Sequence, residues 1–138
     1  MDNLILVKPT IDLKEKALEY KKEHFDNGEE IINGSALLDK LDYEDWIKHI
    51  EKSSNPETVD ENWVEASTFF VIRETDQRII GMVDIRHRIN KFLALFGGHI
   101  GYSVRPSERK KGYGTKILEM ALKYAKTINI QRVMLACY

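Results

Sequence analysis

The chain has 138 residues, 43% of them hydrophobic and 31% charged, with a formal net charge of −1 at pH 7. That size fits one domain with a real core, and the charge balance excludes a global pull toward nucleic acid or a membrane surface. Cys137 is the only cysteine and the N-terminal apolar run is just Leu4–Val7, so no internal disulfide, signal-peptide core or membrane span is expected. A reducing, cytoplasmic setting is therefore expected.

Charge is unevenly spread. Residues 29–66 carry eleven Asp/Glu against three Lys, whereas residues 105–132 carry eight Lys/Arg against two Glu. Most such charges only solvate a surface. The asymmetry nevertheless suggests a basic end suited to phosphates and an acidic region suited to a cationic partner.

In chain order, Asn3–Lys8 reads as a first strand ended by Pro9. Asp12 with Glu15 three residues later reads as a capping box opening a helix, which runs to about Asn27 and stops at Gly28. Leu13, Ala17, Tyr20 and His24 share one stripe of that helix, making His24 an edge-of-core residue rather than a ligand. Tyr43–Ser53 reads as a second helix with Trp46, Ile47 and Ile50 on one face, between loops marked by Asn33–Gly34 and by Ser53–Pro56. Trp63 and Val64 either cover a cleft or simply pack.

From residue 67 the period changes. Ser67–Glu74 reads as a strand, Thr75–Arg78 as a turn and Ile79–Arg88 as the antiparallel partner. In the partner, Val83, Ile85, His87 and Ile89 share one face and Asp84, Arg86 and Arg88 the other. His87 reads as a satisfied core histidine, and Phe69, Phe70, Phe92 and Phe96 as packing residues. After Gly97–Gly98 comes a short strand, His99–Val104, ended by Pro106. The basic stretch 105–115 then leads into a helix whose stripe is Ile117, Leu118, Ala121, Leu122, Ala125 and Ile128. Arg132–Tyr138 reads as a last strand that buries Cys137 as an inert thiol. There is no repeat and no linker, so residues 1–138 are read as a single domain.

The most informative unit is strand, glycine-containing basic loop, helix. The first turn of a helix leaves N–H groups without partners at the positive end of its dipole. Gly112 and Gly114 carry no Cβ to keep an anion away, and Arg109, Lys110 and Lys111 add positive charge beside them. A phosphate or pyrophosphate suits that place, although the same glycines and cations also serve an ordinary solvated turn. A Walker loop is absent, and Ile117 stands where a dinucleotide fingerprint needs its third glycine. Histidine and cysteine show no zinc-like spacing, so no metal is expected.

Arg109-x-x-Gly112-x-Gly114 resembles the Gln/Arg-x-x-Gly-x-Gly/Ala loop of the GNAT superfamily of acyl-CoA-dependent N-acyltransferases, and HIGYSVRPSERKKGYGTKIL is similar to that family's central segment throughout. IIGMVDIRHR and GGHIGYSVRP resemble a group of bacterial predicted acetyltransferases more closely still. The resemblance implies an α+β fold in the order β1-α1-α2-β2-β3-β4-α3-β5, a central, mostly antiparallel sheet flanked by helices. Family members continue with a helix and two strands, which often supply a tyrosine that protonates the thiolate. This chain stops at Tyr138, so a truncated chain, or a second chain completing the fold as in a homodimer, is expected.

The resemblance further implies acetyl-CoA as cosubstrate, held by Arg109, Lys110, Lys111, Gly112, Tyr113, Gly114 and Thr115 at the phosphates and by Tyr102, Ser103 and Val104 along the pantetheine. A backbone N–H near Val104 would polarise the thioester carbonyl. The acceptor would be a small-molecule or peptide amine, cationic before it reacts, attacking directly in a ternary complex. His99 stands where many family members carry a glutamate and is the candidate base, with His87 a weaker one and Tyr102 an acid if its hydroxyl faces the cleft. A non-catalytic acyl-CoA-binding module and an unrelated nucleotide-binding domain are the rival readings.

Overall fold

A computed structural model of the chain describes residues 3–59, 63–88, 98–128, 130 and 133. The expected last strand with Cys137, and the residues Ile89, Phe92, Phe96 and Gly97, lie outside the described residues. The elements are β1 (Leu4–Val7), α1 (Lys14–Asp26), α2 (Tyr43–Ser53), β2 (Ala66–Arg73), β3 (Arg78–Arg86), β4 (Ile100–Val104) and α3 (Tyr113–Thr127). The four strands form one antiparallel sheet in sequential order, which makes this an α+β fold of the expected order through α3. Among the described residues no helix is long and apolar enough to cross a membrane.

The sheet separates two apolar clusters. On one face α1 and α2 bury Ala17, Tyr20, Trp46 and Ile50 against Phe70, Ile72, Ile79 and Met82. On the other, Ile117, Ala121 and Ala125 of α3 pack on Val71, Ile80, Val83, Ile85 and Ile100. Strand alternation alone would not put both Ile80 and Val83 on the α3 face. A β-bulge resolves this: Val71 pairs with Gly81 and Ile72 with Ile79, so Ile80 is the extra residue. A Cβ on Gly81 would lie 2.7 Å from Ile117 Cδ1, so glycine here lets α3 approach the sheet.

Several boundaries differ from the sequence reading. The capping box at Asp12 does not form. After Pro9 the chain is still extended at Thr10, a 3-10 turn runs over Ile11–Leu13, and no side chain caps the helix. Asp12 instead lies in that first turn, where a negative charge is favourable. The hairpin shifts by one residue, because Arg73 pairs with Arg78 and Gln77 takes a left-handed φ of 57° to close the turn. Strand β3 ends at Arg86, and Asp84 on its polar side is buried, accepting from Thr68 at 2.9 Å. His87 is satisfied, with Ser67 Oγ at 2.8 Å and Glu65 at 3.1 Å, but it is half-buried at the end of the strand rather than in the core. Val64 is buried, while Trp63 is part-exposed and meets the His49 ring edge-on.

The end of α1 is as local as its start is not. Gly28 has φ 79°, Gly28 N–H donates to Phe25 O and Glu29 N–H to His24 O, the two bonds of a Schellman motif. Beyond it the chain passes directly against β4. Gly34, with φ 70°, sits so close that a Cβ would lie 2.4 Å from the carbonyl oxygen of Gly101. The two glycines therefore predict different costs. Gly28→Ala meets open space and adds only backbone strain, about 1 kcal/mol. Gly34→Ala adds a clash with backbone and is expected to lose about 3 kcal/mol or more. Urea denaturation of both variants checks the difference, and equal losses would mean that the contact with β4 is not close.

Candidate functional site

Strand β4 is the sheet's edge among the described residues. Arg86 N–H donates to His99 O at 2.7 Å and Arg105 N–H to Ile80 O at 2.7 Å. Because the bonding residues of an antiparallel pair alternate, the backbone groups of Gly101 and Ser103 also face β3. Those of Ile100, Tyr102 and Val104 consequently face away from β3. Arg109 Nε occupies the Val104 carbonyl at 3.0 Å.

Along this edge runs a cavity of about 610 Å3, within the usual range for a small-molecule site. Its floor is Gly101, Tyr102, Ser103 and Val104, and one end is closed by Arg109, Lys110, Gly112, Tyr113 and Gly114. His24, Glu29 and Ile31 form a wall from the segment that leaves α1. Lys111 and Thr115 flank the cavity without lining it, and His99 does not line it. His99 is half-buried at the start of β4; burial and the nearby Arg86 charge hold its imidazole below the ordinary histidine value. The structure thus gathers Tyr102, Ser103 and Val104 with most of the loop and leaves His99 aside.

The sequence accounts for the loop's form. Gly112 has φ 83° and is the residue before α3, with no side chain capping the helix. The first amides of a helix have no acceptor within it, and the helical bonding here includes Lys116 N–H to Gly112 O. A Cβ on Gly114 would lie 3.7 Å from the Tyr102 ring and 3.8 Å from a Val104 methyl, so the helix start lies directly over the strand edge. Lys110 also takes a left-handed φ, 65°, and projects an exposed ammonium with no ion pair among the described residues.

The other two loop cations are engaged. Arg109 holds Glu29 in a two-pronged pair at 2.6 and 2.7 Å, and Lys111 reaches Glu108 at 3.0 Å. Arg109 drives the Glu29 carboxyl down to about 2, with help from His24 and Asn27. Glu108 is buried between Arg73 and Arg78, each at 3.0 Å. Burial resists its ionisation, but Lys111 and Arg73 outweigh that and keep it below the usual carboxylate value. On the α1 side, Glu23 accepts from Arg105 Nε at 2.9 Å and from Ser107 N–H at 2.8 Å. Glu23, Glu29 and Glu108 were not singled out from the sequence. Only Glu29 had a local signal, its place immediately after the helix-ending Gly28.

Behind the cavity, Tyr20 bonds Ser103 Oγ at 2.7 Å, and burial pushes its phenol pKa up, so it stays neutral. His24 is buried as expected, its ring edge-on to Tyr20 at 4.6 Å and its Nδ1 2.9 Å from Glu29 Oε1. Burial lowers its pKa from 6.5 more than Glu29 raises it. Among the described residues no group of three or more His, Cys, Asp or Glu is arranged to hold a metal.

A family model described as acetyltransferase (GNAT) family matches residues 36–138. A comparison with curated proteins returned no match.

The state of His24 gives a stability prediction. Its folded pKa lies below the unfolded value, so neutral His24 stabilises the fold fully above about pH 6.5 and progressively less as pH falls below it. The stability difference between the wild type and His24→Gln should therefore shrink between about pH 7.5 and about pH 5.5 in urea denaturation. A difference that grows over this interval would mean that the buried ring is protonated in the folded state.

Proposed function

The chain belongs to the acetyltransferase (GNAT) family, and from that membership we propose that it transfers an acetyl group from acetyl-CoA to a primary amine by direct attack in a ternary complex. One observation carries this reading: a single cavity joins the open edge of β4 to the uncapped amides of α3. The pyrophosphate of acetyl-CoA fits the amides of Gly114 and Thr115, at the positive end of the helix dipole. Lys110 supplies a cation at the same place, whereas Arg109 shapes the loop through Glu29 and the Val104 carbonyl. The pantetheine arm suits the strand edge, where Tyr102 and Val104 present outward-facing backbone groups.

In this reading an outward N–H of β4 donates to the thioester oxygen as it gains negative charge in the transition state. The amine must lose its proton to be nucleophilic, so acceptors that are cationic in solution need a base. The acidic stretch 29–66 favours such acceptors by raising their local concentration. The cavity suits the cosubstrate because Gly114 leaves the backbone accessible there, and a side chain longer than a methyl at position 114 would reach over the strand edge.

That last point supplies the test. Gly114 lies in the helix without a positive φ, and a Cβ there makes only ordinary contacts. Gly114→Leu should fold with wild-type stability or better, while its side chain fills the place where the cosubstrate passes the helix. Acetyl-CoA at ~100 times its dissociation constant should stabilise the wild type by roughly 2.7 kcal/mol, with ATP and NAD much weaker. Gly114→Leu should lose that stabilisation. Equal stabilisation of the variant would move the cosubstrate out of this cavity, and binding without acetylation of any amine would favour an acyl-CoA-binding module.

A further inference from the structure

Resting on the reading of this cavity as the acetyl-CoA site, we propose that Glu29 sets cosubstrate specificity. By holding Arg109 on the Val104 carbonyl, it reserves that cation for ligands that bring an N–H donor to the strand edge together with a phosphate to the helix. The starting point is a conflict inside the cavity. The Val104 carbonyl faces away from β3, where an arm lying along β4 would use it as an acceptor, yet it already accepts from Arg109 Nε at 3.0 Å. The same guanidinium gives its two other nitrogens to Glu29 at 2.6 and 2.7 Å. Val104, Arg109 and Glu29 all line the cavity, so Arg109 straps its floor to its wall at the loop end.

A carboxylate is an unexpected lining for an anion site, and this one is firmly held. Besides Arg109, Asn27 Nδ2 donates to Glu29 at 2.6 Å and His24 Nδ1 lies 2.9 Å from it. Arg109 above all keeps the carboxyl ionised, at about 2. An anion arriving alone therefore meets an Arg109 that is already neutralised. Lys111 is tied to Glu108 and Arg105 to Glu23 in the same way, which leaves Lys110 and the helix amides.

The chemistry of the ligand decides whether Arg109 joins them. Pulling the guanidinium onto an anion would strip the Val104 carbonyl of its donor, and an ionised diphosphate, which only accepts, cannot supply another. A pantetheine arm differs at this point, because its amides carry N–H groups. An arm along the edge takes over the Val104 carbonyl, and Arg109 Nε turns to the phosphates while the other two nitrogens keep Glu29. Only hydrogen bonds exchange. The cation is recruited when amide and phosphate arrive together, and not by phosphate alone.

Calorimetric titration with CoA, ADP and pyrophosphate separates this from a loop brace. Three proteins are compared: the wild type, Glu29→Gln, and the double variant Glu29→Gln with Arg109→Gln, which removes the pair without changing net charge. The wild type should bind CoA at least ~100-fold more tightly than ADP. Glu29→Gln keeps the shape and removes the competing charge, so affinity for ADP and pyrophosphate should rise ~10-fold at low salt. CoA should gain less, so that the ratio of CoA to ADP affinity falls. The double variant should weaken CoA ~10-fold and leave ADP at its wild-type affinity. Should either variant fold poorly, the nitrogen-15 signal of Arg109 Nε in the wild type decides: CoA must shift it, and ADP at equal occupancy must not. An equal gain for CoA and ADP in Glu29→Gln, a loss of ADP affinity there, an equal weakening of both ligands in the double variant, or a signal that ADP moves as CoA does would each overturn the assignment. Failure of CoA to bind the wild type would instead overturn the reading of the cavity on which it rests.

Discussion

Three carboxylates hold the loop between β4 and α3, and the candidate site depends on them. Glu23 reaches back from α1 to Arg105 and Ser107, Glu29 grips Arg109, and Glu108 lies between Arg73 and Arg78 of the hairpin. A loop with four basic residues and two left-handed backbone positions would otherwise repel itself and sample many forms. Charge-assisted bonds to buried or half-buried carboxylates give it one form instead. The consequence is that most of the local positive charge is spent on shape, so helix amides and Lys110 remain for an anion.

The same arrangement explains why the cavity sits where it does. The β-bulge at Ile80 and the glycine at position 81 bring α3 down onto the sheet, so its uncapped end overlies the edge of β4. On the opposite face, the Schellman turn at Gly28 releases the chain toward β4, and Gly34 presses it against Gly101. The strand edge is thereby bordered on both sides, by a helix start and by the segment after α1. Backbone geometry at a few glycines sets the width of the groove, and the ion pairs keep it from closing or drifting.

Much of this was legible in the sequence where the cause is local. The apolar stripe Ile117, Ala121, Ala125 marked α3 and its buried face, and alternation marked β2 and β3. Gly28 and Gly34 signalled breaks because left-handed conformations favour glycine. The loop glycines and the strand before them located one end of the cavity. What escaped depends on contacts distant in the chain. Arg109 and Glu29 are 80 residues apart and Arg105 and Glu23 are 82 apart, so the loop cations read as ligand contacts rather than as braces. Burial of Asp84 escaped because a polar strand face looks solvated until the segment packed on it is known. His24 read as core from its helical position, and it is core; its place beside the cavity follows only from the path of residues 29–34 beside β4.

The central claim is that a cosubstrate lies along the β4 edge with its phosphates on the first amides of α3. Amide hydrogen exchange with and without acetyl-CoA tests it most directly. The account predicts slowed exchange at Tyr102 and Val104 and across Tyr113–Lys116, with α2 and the β2–β3 hairpin unchanged. Protection confined to other segments, with 102–116 unaffected while acetyl-CoA is bound, would contradict it.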